Sequence, residues 1–175
     1  MFVRHKYSDD RSKVSTLENP VATKKYDGAN YFLKIDSDGK PSFVSRRESV
    51  KGGYPDKTSK VPHLAEIHLP EFKNHVFNVE LIHTGMYKDN MESHPTVSGI
   101  LNSLPPRAIE QQQLHGPIRA VIFDVIHPSI PTYKDKLELM KKVEVSAQKP
   151  DVLFTPETKI GIEAITNFIA TTEHH

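Results

Sequence analysis

The stretch "TKKYDGANYFLKI", Thr23 to Ile35, decides how this chain is read. Its second half alternates Tyr31, Leu33 and Ile35 against Asn30, Phe32 and Lys34, the period of a half-buried strand. Asp-Gly turn chemistry follows in "DSDGK" and "PSFVSR" then returns, so a hairpin is expected. The first half admits two readings. The paired lysines, Asp27 and Gly28 form a polar turn between strands, or they hold a lysine at a strand end as a nucleophile. A lysine attacks only when deprotonated, and a free lysine is almost wholly protonated at neutral pH. Burial and neighbouring cations favour the neutral amine. The chemical reading therefore expects Lys25 to be buried, beside Lys24 and near arginines from another strand. Asp27 would orient the ammonium or a bound hydroxyl, and Gly28 would let the backbone turn or a ligand approach closely.

Outward from this stretch the pattern mixes strands and helices. "VATKKY" reads as a short strand before it. "KGGYPDKTSK" reads as a loop, with neither the GxGxxG nor the GxxxxGK spacing of a phosphate-cradling loop. "HVFNVELIH" and the β-branched "IRAVIFDVIH" read as buried strands. Between them "TVSGILNSL" and "PPRAIEQQQL" read as helices, the second with proline in its first turn. "YKDKLELMKKVEVSA" places Leu137, Leu139 and Met140 on one helical side, and Ile162, Ile165, Phe168 and Ile169 recur at helical spacing near the end. No strict βαβ alternation appears, so the expected class is α+β, antiparallel sheets with flanking helices. Residues 1–18 read as a polar arm or loop, and residues 19–175 as one domain.

Composition narrows the function classes. The 175 residues suffice for a core without staples. Apolar residues make up 37% of the chain and charged residues 26%, with no apolar run of about 18 residues for a membrane span. The first residues lack the apolar centre of a signal peptide. Cysteine is absent, which excludes disulfides and thiolate metal sites and agrees with a cytoplasmic setting. The net charge of +1 decides nothing about nucleic acid, and the basic runs "SRRESVKGG" and "YKDKLELMKK", interrupted by acids, read alone as solvated faces. His83 and His127 each end an apolar strand. They read as hydrogen-bonded structural residues, without HxxxH or HExxH spacing for a metal, and no metal-ligating residue is assigned.

The order of motifs adds what a lone KxDG lacks. "KYDG" at Lys25–Gly28 is followed by "SRRE" at Ser45–Glu48, "NVELI" at Asn78–Ile82 and "VIFDVI" at Val121–Ile126. This succession resembles the covalent nucleotidyltransferases: ATP-dependent DNA ligases, RNA ligases and mRNA capping enzymes. "HPTVSGILNSLPPRAIEQQ" and "YKDKLELMKK" also look like ligase sequence, and the similarity runs from about Pro20 onward. The resemblance implies that Lys25 attacks the α-phosphate of ATP and forms lysyl-AMP. It implies that Arg46 contacts the ribose or the strand end, that Glu80 accepts from the ribose hydroxyl, and that Phe123 stacks on adenine. Thr23 and Lys24 would meet the adenine edge. Tyr26, Gly28 and Asn30 complete the implied nucleotide-contacting set, with Asp27 beside the nucleophile and magnesium as the metal. Nicked double-stranded DNA would be the substrate, in repair, replication or recombination.

The pattern departs from the family in three places. Many members carry arginine where Asn30 stands, and asparagine there resembles some RNA ligases, which leaves RNA ends open. Thr23 replaces a frequent glutamate, and its hydroxyl still hydrogen-bonds a base edge. The later E-G and KxK motifs do not occur. The expectation is an incomplete adenylation domain, its remainder either carried by a second ligase chain that bears those motifs or lost by truncation. Only 24 residues precede Lys25, which favours ATP over NAD. RNA ligase or capping chemistry is the alternative within the enzymes. A degenerate module that binds nucleic acid or a partner is the alternative outside them.

Overall fold

The computed structural model describes residues 20–83, 94–127, 129–130 and 132–172, except the side chains of Ile162 and Thr172. The arm expected over residues 1–18 lies outside the described residues. The described residues divide into two compact units, one within residues 25–156 and one of residues 20–24 with 157–172.

The larger unit is built on a five-stranded sheet. The expected hairpin forms from β2 (Ala29–Ile35) and β3 (Pro41–Ser45), with Gly39 at φ +81° in its turn. There the Lys40 carbonyl accepts from the Asp36 amide, and the Asp36 carboxylate accepts from the amides of Asp38 and Lys40. Strands β4 (Val76–Ile82), β5 (Arg119–Val125) and β6 (Leu153–Phe154) complete the order β3-β2-β4-β5-β6. All pairs are antiparallel except β5–β6. A parallel pair needs a crossover, and helix α4 (Tyr133–Ala147) supplies it. Its start is capped as its sequence allows: Thr132 is extended, its hydroxyl accepts from the Asp135 amide at 3.2 Å and donates to the Asp135 carboxylate at 2.7 Å.

One face of the sheet is core. Leu33, Phe43, Phe77, Val79, Leu81, Ile122 and Val125 are almost wholly buried there. Phe72 meets Phe77 edge-on with ring centroids 6.4 Å apart, so the segment around α1 (Pro62–Ala65) closes on this face. Helices α2 (His94–Asn102) and α3 (Pro105–His115) also pack on this unit, α2 against β2 and β4. Pro105 opens α3 and Gly116, at φ +100°, ends it.

In the smaller unit, β1 (Val21–Thr23) pairs antiparallel with β7 (Thr158–Ile160), and α5 (Ile162–Thr172) follows. The Lys24 amide extends this pairing by donating to the Glu157 carbonyl at 2.9 Å. The strand expected through Tyr26 ends at Thr23. Neither β6 nor β7 was expected from sequence, because two- and three-residue strands are too short to show a period. No helix of the described residues is long and apolar enough to cross a membrane.

Candidate functional site

The other face of the sheet carries Asn30, Asn78, Glu80 and Asp124 beside the buried Phe32, Ile82 and Val121. Cross-strand register places Asn30 of β2 opposite Glu80 of β4, Glu80 opposite Val121 of β5, and Val121 opposite Phe154 of β6. Arg46 follows the last β2–β3 pair, Tyr31↔Ser45, and its Nη1 donates to the Asn30 Oδ1 at 3.2 Å. The Asn30 Nδ2 in turn donates to the Asn78 Oδ1 at 2.9 Å and to the Val79 carbonyl at 3.1 Å. Residues from the SRRE, KYDGAN and VEL segments thus form one connected row.

The Lys25–Gly28 segment lies between β1 and β2 and meets this face at Gly28. The Gly28 amide donates to the Glu80 Oε1 at 3.1 Å. A Cβ on Gly28 would stand 2.1 Å from the Leu81 carbonyl oxygen, so the glycine is needed for close approach to β4. Burial pushes the Glu80 carboxyl up from the ordinary carboxylate range. The Gly28 amide, the Asn30 side chain and His94 oppose that rise, and Asp27 adds to it. Tyr26 packs edge-on against Phe154, with centroids 6.1 Å apart, and the Arg119 guanidinium lies 5.5 Å over the Phe154 ring.

Lys25 corrects one expectation. It is exposed, as are Lys24 and Asp27. The motif runs through a connecting segment outside the strands. Thr23 ends β1 in the smaller unit and is half-buried.

Phe123 occupies an irregular place in β5. The ladder pairs Asn78 with Asp124 and Val79 with Ile122, leaving Phe123 as the extra residue of a β-bulge. The bulge lets Val121 and Asp124, three residues apart, both lie on the face of Glu80 and Asn78. Phe123 is half-exposed, its carbonyl accepts from the Tyr133 hydroxyl at 2.7 Å, and Asp124 pairs with Lys136 at 3.1 Å.

Sequence reasoning missed Phe154, Arg119, Asn78 and His94 on or beside this face. Phe154 lies in a strand too short to recognise and Arg119 belongs to no motif by spacing, while Asn78 and His94 open the quoted NVELI and HPTVSG segments without a role of their own. His83 and His127 do not join it: the His83 Nε2 donates to the Gly116 carbonyl at 2.8 Å, and the His127 Nδ1 accepts from the Ser129 amide at 3.2 Å. Among the described residues, no group of three or more His, Asp or Glu side chains could hold a metal ion. An open groove of about 250 Å³ lined by Pro62, His63, Ile109, Gln112, Gln113 and Pro117 contains none of the candidate residues.

No protein-family model matches the sequence, and no curated protein matches it. The fold is similar to the crystal structure of the ligase domain of LigD from M. tuberculosis, with a TM-score of 0.50 and 18% identity. The match covers 88% of this chain and 44% of that one, so the chain spans less than half the length of its structural neighbour. The likeness shows a mixed α+β fold similar to that of this ligase domain.

Proposed function

We propose that this chain is the front part of the adenylation domain of an ATP-dependent DNA ligase, with Lys25 as its nucleophile. The carrying observation is the bond from the Gly28 amide to Glu80, which joins the KxDG and VEL segments in one half-buried site. The ligase-like fold supports the same reading.

In the proposed reaction the deprotonated Nζ of Lys25 attacks the α-phosphorus of ATP. A nitrogen–phosphorus bond forms as the bond to the bridging oxygen breaks, and pyrophosphate leaves with the electron pair. Because Lys25 is exposed, its proton passes to water. A 5′-phosphate oxygen at a DNA nick then attacks the same phosphorus, and the lysine leaves and regains a proton. The 3′-hydroxyl finally attacks the activated 5′-phosphate, loses its proton to solvent and expels AMP. Within this scheme Glu80 binds the ribose hydroxyl, Arg46 the ribose or strand end, and Phe123 the adenine face, while Thr23 and Lys24 meet the adenine edge. Tyr26, Gly28 and Asn30 shape the loop around the nucleotide, and Asp27 orients the amine.

The described residues build no magnesium cage. Magnesium carried on nucleotide phosphates needs only one or two carboxylates from the protein, and its chemistry is to neutralise charge on those phosphates. The E-G and KxK segments that the family uses for metal and phosphate have no counterpart in the sequence. A complementing ligase chain is the proposed source.

The test is incubation with α-labelled ATP and magnesium, alone and with a candidate complementing chain. Acid-labile label on Lys25, absent from Lys25→Ala and not supplied by NAD, is the expected result. No label under either condition overturns the proposal. The exposure of Lys25 favours a second reading, a module that binds nucleic acid or a partner without chemistry. Nicked DNA binding by a chain that never takes label would establish that one.

A further inference from the structure

The Gly28 peptide is held from a side that the motifs do not name. Its amide donates to Glu80, and its carbonyl accepts from the His94 Nδ1 at 2.6 Å. A carbonyl only accepts, so the His94 Nδ1 carries the proton. When the ring is neutral its Nε2 is then an acceptor, and the Ser98 hydroxyl lies 3.4 Å from it, one turn further along α2. A side chain at this position would clash with the Leu81 carbonyl, so Gly28 sits close against β4. The peptide three residues after Lys25 is thus fixed through its N–H, its C=O and its missing side chain. His94 is the first residue of a helix that packs on β2 and β4, so its bond ties the loop to the sheet through a second element.

We infer that His94 is a positioning residue for lysine adenylylation. It clamps the Gly28 peptide against Glu80, which sets the path of the Lys25–Gly28 loop and aims the lysine. This inference rests on the function proposed above. A clamp of this kind acts on the step that needs the lysine in line with phosphorus and leaves nucleotide affinity nearly unchanged, because small misplacements cost rate steeply.

Two variants test it in the full chain, with the complementing chain added if labelling requires it. His94→Phe keeps a ring and removes the donor. His94→Asn keeps an amide donor near the Nδ1 position. His94→Phe is expected to slow single-turnover labelling at saturating ATP at least about tenfold, with the KM for ATP changed less than about threefold, and His94→Asn is expected to restore most of the rate. A His94→Phe chain that labels at the wild-type rate, or a folded His94→Asn chain as slow as His94→Phe, overturns the inference. A thermal melt of each variant identifies a chain that does not fold. The clamp also has a readout independent of chemistry. Nitrogen NMR of the wild type should find neutral His94 protonated on Nδ1, with Gly28 amide exchange faster in His94→Phe. Protonation on Nε2, or unchanged Gly28 exchange, sinks the clamp. A wild-type chain that passes the NMR test but never takes label sinks the proposed function, and with it the catalytic role of His94.

Discussion

Glu80 carries the tension between stability and chemistry at the scale of a single residue. Its carboxyl is pushed up by burial, so folding favours the uncharged form. A folded value above the unfolded one gives stability that is full below the ordinary value of 4.5 and is lost as pH climbs through the raised value. At neutral pH the ionised group is therefore a burden on the fold. Glu80→Gln keeps an oxygen for the Gly28 amide and removes the charge. It should melt about 2–4 °C higher than the wild type at pH 7, the shift that ~1 kcal/mol produces in a chain of this length. The gap should close near pH 4, and lysine labelling should fall. A glutamine variant that melts lower at pH 7 would show that the Gly28, Asn30 and His94 contacts outweigh burial. The motif made Lys25 and Glu80 legible as candidates. It did not reveal the lysine's exposure, because exposure depends on what other segments cover.

At the scale of elements, the bulge in β5 decides which side chains share the Glu80 face. A regular ladder would set Asp124 on the opposite face from Val121, since strand side chains alternate. The extra residue resets the alternation, and the Tyr133 hydroxyl takes the Phe123 carbonyl. Tyr133→Phe removes that donor and should cost about 1–2 kcal/mol of unfolding free energy, read by urea melts. Nucleotide affinity should fall as well if Phe123 stacks on the base. An unchanged urea midpoint would mean that water replaces the hydroxyl without loss. The strands and helices flanking this bulge were legible in the sequence, because each buries a periodic set of side chains long enough to recognise. α4 matches its expected span, Tyr133 to Ala147, and α2 and α3 lie within a few residues of theirs. The bulge was not legible, since "VIFDVI" has the same composition with or without an extra residue in the ladder.

The whole molecule responds to acid through histidines that the fold buries. His63 and His83 each donate to a backbone carbonyl, of Ile118 and Gly116 respectively, and burial lowers the value of both below 6.5. Among the described residues the buried His83 Nδ1 has no hydrogen-bond partner. A lowered histidine contributes stability that is present above 6.5 and is lost as pH falls through the folded value. Glu80 slopes the other way, so the measurement belongs in the Glu80→Gln background. There the melting temperature should drop between pH 7 and pH 5, and His63→Gln with His83→Gln should flatten the drop. Equal stability at both pH values in that background would refute the assignment. By itself the sequence determined the fold class, the hairpin, the long helices and the order of the motifs, because each is written in short-range periodicity or spacing. Only the tertiary structure decided the pairing of β1 with β7, the parallel β6 and the exposure of Lys25. It alone joined Gly28 to Glu80 and His94, 52 and 66 residues away. Contacts across such separations depend on how remote segments pack together, and no local window of residues encodes that balance.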